Sequence, residues 1–237
     1  MMMFSFVELL ILLIFSIPLI LSFLSLVLNT HSAKSFFLSS LGWAILGSAL
    51  LFFFGAKDII TSLSFMGEPI TFSISSTPLL LYLLTLLALL LMVGSHSHTG
   101  KETLSPYQFI LLNLSLSFGF IAFISGQFMI RYIALDIVGL VAALTVLSSF
   151  AESLPLKRFI TIFQILRLGD LSLLVSILLI NHHAGTLDIN QMISVASELP
   201  LPIRVWVFAG FLFAILIKLA IWPFGLWLLQ VRKTVSG

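Results

Sequence analysis

Apolar residues in this chain come in long, nearly unbroken runs, not in the short alternations of a half-buried strand or an amphipathic helix. The run FVELLILLIFSIPLILSFLSLVL (6–28) is typical. Roughly 20 such residues, wound as a helix, cross the ~30 Å hydrocarbon core of a bilayer. About seven runs qualify by length, at 6–28, 36–54, 78–95, 107–125, 128–149, 157–181 and 203–229. The fourth and fifth are separated only by Ser125, Gly126 and Gln127. Fused, they would make a helix about 60 Å long, twice what a bilayer accommodates, so a tight turn is predicted there. Residues 57–76 alternate apolar and polar positions around Gly67-Glu68-Pro69, which predicts a short hairpin at the membrane surface. Within 183–200, Thr186 or Asp188 is placed to cap a short amphipathic helix.

Composition sharpens this pattern. Of 237 residues, 60% are hydrophobic and 8% are charged, and mean hydropathy is +1.22. Soluble domains carry about 25% charged residues, so the chain is predicted to be an all-α, polytopic membrane helix bundle. The first run lacks a basic leader and a small-residue cleavage site, and it reads as a retained span instead of a signal peptide. The net charge of +2 is too small to suggest a nucleic-acid surface. Its distribution predicts orientation. With the N-terminus outside, the inward connections hold Lys34, Lys101, Lys157, Arg158, Arg232 and Lys233, against Lys57 and Arg204 outward and Arg131 near the outer boundary. There is no cysteine, so thiolate metal sites and disulfides are excluded. No phosphate-cradling glycine loop, dinucleotide fingerprint or nucleophile–base pair is present, and neither a cofactor nor a metal is expected on this chain.

Against this apolar background, four charged residues lie deep within predicted spans: Asp136, Arg167, Asp170 and Lys218. Insertion scales put each such residue at about 2.5–3.5 kcal/mol at a helix centre. Arg167 and Asp170 stand at i, i+3 and can pair on one helix face. That pair reads equally well as self-neutralising structure or as an acid biasing a neighbouring charge. Asp136 and Lys218 have no partner on their own helices, which predicts that they satisfy each other, or water, across a helix interface. A carboxylate beside a buried lysine raises its proton affinity, whereas desolvation lowers it. Displacing the carboxylate would therefore switch the lysine between holding and releasing a proton. Pro223, five residues after Lys218, cannot donate a helical hydrogen bond and predicts a break in the seventh helix. Broken helices beside midplane charges recur in ion paths. The remaining polar candidates carry less: Ser95–His98 reads as an interfacial loop, His182-His183 as a helix end among headgroups, and Glu8 as an interfacial carboxylate.

Three segments in order resemble one family. RYIALDIVGLVAAL resembles the fifth-helix W-E-x-x-G-L motif of the antiporter-like subunits of respiratory complex I, with Asp136 on its glutamate and Gly139-Leu140 on its G-L. QILRLGDLSLLVSILLINHHAGTLDINQM resembles the R-x-G-D segment and following G-T-L of the chain-5 (subunit L) type, at Arg167, Gly169, Asp170 and Gly185–Leu187. IKLAIWPFGLWLL resembles the broken seventh helix, K-S-A-Q-x-P-x-H-x-W-L, at Lys218, Ala220, Pro223, Trp227 and Leu228. The departures are Leu135 for the motif's Trp, Asp136 for its Glu, Ile221 for its Gln and Gly225 for its His.

The resemblance implies a proton-translocating module. Asp136 and Lys218 would be its central pair, modulated by Arg167 and Asp170, with helices one to three and the hairpin in 1–106 and the start of the translocation repeat in 107–237. The family's chains are normally about twice this length, so a continuation or a partner chain would supply a second repeat. Partners implied are other membrane subunits, together with a soluble redox arm, an antiporter complex or a zinc-containing carbon-hydrating protein, in a bacterial inner (plasma) membrane. A different reading keeps the same charges as helix-packing elements of a non-conducting structural subunit.

Overall fold

The computed structural model describes residues 6–28, 33–54, 58–98, 105–149, 156–219 and 221. The described chain is helical apart from one hairpin: α1 (Phe6–Leu28), α2 (Ala33–Phe54), β1 (Asp58–Phe65), β2 (Glu68–Ser73), α3 (Ser76–His98), α4 (Pro106–Ile124), α5 (Phe128–Ser149), α6 (Leu156–Ala184), α7 (Ile189–Ala196) and α8 (Leu201–Lys218). Six helices are long and apolar enough to cross a membrane, and α3 adds a shorter apolar stretch over Ser76–Leu91. The protein is a multi-pass membrane helix bundle, as its hydropathy pattern predicts.

Several local expectations meet their structural reasons here. β1 and β2 pair antiparallel, joined through Met66 (φ 54°) and Gly67 (φ 85°). Two consecutive positive φ values are the tight hairpin turn whose twist suits antiparallel strands, and they centre it one residue ahead of the expected Gly-Glu-Pro. Asp188 caps α7, its carboxylate accepting from Gln191 N at 3.0 Å, while Thr186 Oγ1 accepts from Asp188 N at 3.2 Å. Ser105 and Gln108 form a reciprocal capping box at the start of α4. One expectation is corrected: Ser95–His98 is not a loop, because α3 continues helically through His98.

The chain forms two compact units: residues 1–126 with 133–149, and 127–132 with 150–237. In the first, α1 runs antiparallel to both α2 and α4. Trp43 Nε1 donates to Leu13 O (3.3 Å), Ser22 Oγ donates to Ile110 O (3.1 Å), and Phe15 meets Phe118 edge-on at 5.9 Å. Gly47 lets α1 approach α2, since a Cβ there would stand 2.6 Å from Ile14 Cγ1. Tyr82 of α3 donates to Leu116 O (3.1 Å) and stacks with Phe120 and Phe123 at 5.4 and 5.6 Å. The hairpin is pinned to the α4–α5 turn by Gly126 N donating to Thr71 O at 2.8 Å. Phe37, Leu41, Ile14 and Phe120 are fully buried at the centre.

In the second unit α6 and α8 pack antiparallel through small residues. Ser172 Oγ donates to Gly210 O at 3.0 Å, and a Cβ on Gly210 would collide with Ser176 Oγ. Gly169 faces Ile217, whose Cγ2 would lie 3.1 Å from an added Cβ. Lipid offers no hydrophobic drive for helix association, so such close backbone approach and interhelical hydrogen bonding hold the pair together. Phe128 N donates to Leu187 O (3.0 Å), and the Phe128 ring packs 5.9 Å from Phe211.

Candidate functional site

Asp170 occupies the middle of α6, fourteen residues from Leu156 and fourteen from Ala184. That is about 21 Å from either end at 1.5 Å per residue, so a helix centred in the bilayer carries this carboxylate at mid-depth. Its side chain is 7% exposed. A carboxylate so buried needs counter-charges or must neutralise, and two cations supply them. Lys218 Nζ lies 2.6 Å from Oδ1, and Arg167 Nη1 lies 3.6 Å from Oδ2. Gly169 and Gly210 create the geometry, because close packing of α6 on α8 brings the residue after Gly169 against the residue after Ile217.

The two cations are held differently. Arg167 comes from the preceding turn of the same helix and lays its guanidinium over the Phe163 ring, 5.0 Å from the centroid. This cation–π contact steadies it independently of the carboxylate. Lys218 comes from across the interface at the end of α8, where Leu219 forms a turn and Ile221 N donates back to Leu216 O at 3.0 Å. A cation at a helix C-terminus is favoured by the carbonyls that end there. The helix thus stops at the depth of Asp170, upstream of the expected break. Pro223 lies outside the described residues.

Chemically, one carboxylate between two cations is a selector. Arginine does not release its proton in proteins, whereas lysine does when its counter-ion moves away and it is desolvated. Asp170 on Lys218 keeps the ammonium charged, and Asp170 drawn to Arg167 leaves Lys218 as the group able to give up a proton.

Of the sequence-derived residues, the structure brings Arg167, Asp170 and Lys218 together. The expected Arg167–Asp170 pair is present, but the shorter contact on Asp170 is to Lys218, where the sequence pointed to Asp136 or water as the lysine's partner. Asp136 is half-buried on α5 and belongs to the first unit, eight residues or about 12 Å from the helix start. Sequence reasoning missed the face of α6 that meets α8. Gly169, Ser172 and Ser176, spaced three and four apart, are a small-residue stripe that marks close helix contact.

Residues 125–236 match the family described as NADH:quinone oxidoreductase/Mrp antiporter, TM. No curated protein sequence matches the chain. Among solved structures, it is similar to a chain of the Mrp complex from Dietzia sp. DQ12-45-1b (TM-score 0.76, 18% identity, covering 98% of this chain and 44% of that one). It is also similar to a chain of the membrane-bound sulfane sulfur reductase, an archaeal respiratory membrane complex (0.74, 17%, 94% and 35%). A third is a chain of respiratory complex I from Thermus thermophilus with bound aureothin (0.71, 16%, 94% and 46%). The chain spans less than half the length of each. Over residues 125–236 it belongs to the antiporter-like membrane subunits of the complex I and Mrp family, and nearly its whole length shares their fold.

Proposed function

We propose that this chain is part of a membrane subunit that moves protons through a buried carboxylate–lysine relay and couples that flux to other subunits. The observation that carries this reading is the 2.6 Å contact between Lys218 Nζ and Asp170, at the centre of α6 and the end of α8. Lys218 is the group that gains and loses the proton, Asp170 tunes it, and Arg167 is the alternative counter-ion that lets Asp170 let go. Asp136, which matches the family's helix-five acid, is the proton's exchange partner. A hydrated break at Pro223 would give the lysine access to water. The similar chains all come from multi-subunit membrane complexes, which supports other membrane subunits as partners. A redox arm, an antiporter assembly or a zinc-containing carbon-hydrating protein is the machinery such flux would serve, in a bacterial inner membrane.

A structural reading draws on the same site: Gly169 and Gly210 pack α6 on α8 closely enough for the ion pair to serve as an interhelical clasp. Lys218→Met in the full native complex, reconstituted in liposomes with a pH-sensitive dye inside, separates the two. A relay predicts proton flux reduced to background with assembly intact. A clasp predicts failed assembly, or assembly with flux unchanged.

A further inference from the structure

The first unit contains buried polar atoms that its helices leave unpaired. Asn113 and Ser117 stand one turn apart on α4 and are completely buried, as is Ser48 of α2. Among the described residues, neither carboxamide atom of Asn113 has a hydrogen-bond partner, and neither the Ser117 nor the Ser48 hydroxyl has one. This is not the habit of serine in these helices. Ser25, Ser40 and Ser115 turn back onto carbonyls of their own helices at 2.6, 2.7 and 2.7 Å, the usual refuge of a helical hydroxyl. Ser48 and Ser117 decline it.

Helix register places these groups near one another. Phe109 of α4 packs on Phe37 of α2 with ring centroids 5.6 Å apart. Asn113 and Ser117 lie about 40° and 80° round α4 from Phe109, between that contact with α2 and the side on which Phe118 meets Phe15 of α1. α2 and α4 are parallel, both antiparallel to α1, so Ser48, eleven residues past Phe37, is level with Phe120. That is about 5 Å along the axis from Ser117. From α1, Pro18 has no N–H to offer the Ile14 carbonyl. Ile14 is fully buried, packs against Gly47, and by the Phe15–Phe118 register sits within one turn of the level of Ser117.

The chemistry of the set selects its ligand. Asn113 presents two donors and an acceptor, each serine one donor and acceptor capacity, and the Ile14 carbonyl an acceptor. A metal cation would leave the Asn113 N–H groups unmet, and an anion would leave its oxygen and the carbonyl unmet. Water donates and accepts, and buried water typically makes about three hydrogen bonds to such groups. We propose that the α1–α2–α4 core holds a short file of ordered water along Asn113, Ser117 and Ser48. This gives the first unit, which also contains Asp136, water at membrane depth, distinct from the Asp170–Lys218 centre.

Pulsed X-ray radiolysis of the full complex in its native membrane tests the proposal, because hydroxyl radicals formed from bound water oxidise only the side chains beside it. Phe120, fully buried on the same face of α4 as Asn113, should be oxidised in the wild-type protein. Labelling should fall several-fold in Asn113→Leu/Ser117→Ala. Should that variant not assemble, the milder Ser117→Ala serves, with a smaller fall in the same direction. No oxidation of Phe120 in wild type, or oxidation unchanged by the variants, would overturn the water file.

Discussion

The two compact units solve the same problem, holding helices together in lipid, with different residues. The first interlocks aromatic and branched side chains and crosses its helix interfaces with neutral hydrogen bonds from Ser22, Trp43 and Tyr82 to backbone carbonyls. The second brings α6 and α8 close through Gly169, Ser172 and Gly210 and places three charges at that contact. Interiors filled by large side chains have rotamers that can yield, whereas backbone-to-backbone approach has nothing to yield. Positioning of charge to within a hydrogen bond is therefore found where the helices are closest.

The comparison can be broken in order of expected effect. Asp170→Asn removes the shared counter-ion and leaves Lys218 without its carboxylate. Breaking a buried pair costs about 3–5 kcal/mol, and the lower end applies because Lys218 is 31% exposed and can reach outward. Thermal unfolding of the detergent-solubilised complex should show the loss. Gly210→Val comes next: its Cβ meets Ser176 Oγ and the Ser172 carbonyl, and backbone cannot step aside. A loss of about 2–3 kcal/mol is expected, at the upper end of overpacking costs, together with lengthening of the Lys218–Asp170 contact.

Gly47→Ala in the first unit is the matched control. Its new Cβ meets only the flexible end of Ile14, so about 1 kcal/mol is expected, read from the same melt. If Gly47→Ala proves as damaging as Gly210→Val, the contrast between yielding and unyielding interfaces fails. Tyr82→Phe is the smallest test. It deletes one neutral hydrogen bond to Leu116 O while keeping the ring against Phe120, and should cost about 0.5–1.5 kcal/mol without altering proton flux.

How much of this was legible in the sequence follows from range. Spans, the Ser125–Gln127 turn, the hairpin and the Asp188 cap are local, and length, alternation and cap chemistry read them directly. The end of α3 was misjudged because polar residues at a helix terminus look like loop, although nothing in Ser95–His98 forbids another turn of helix. The deep charges were legible as such, but their pairing was not. Asp170 and Lys218 are 48 positions apart in sequence, and their meeting depends on which face of α6 packs on α8. Gly169, Ser172 and Ser176 carried that information, yet a small-residue stripe names a close interface without naming the helix that fills it.

The most direct test of the account is Lys218→Arg in the full complex, with proton flux and assembly measured side by side. Arginine keeps the positive charge and can keep the ion pair with Asp170, yet it does not release its proton. The relay predicts a complex that assembles and conducts at background. Flux retained at wild-type level in Lys218→Arg would show that the charge at this position holds helices and carries no protons.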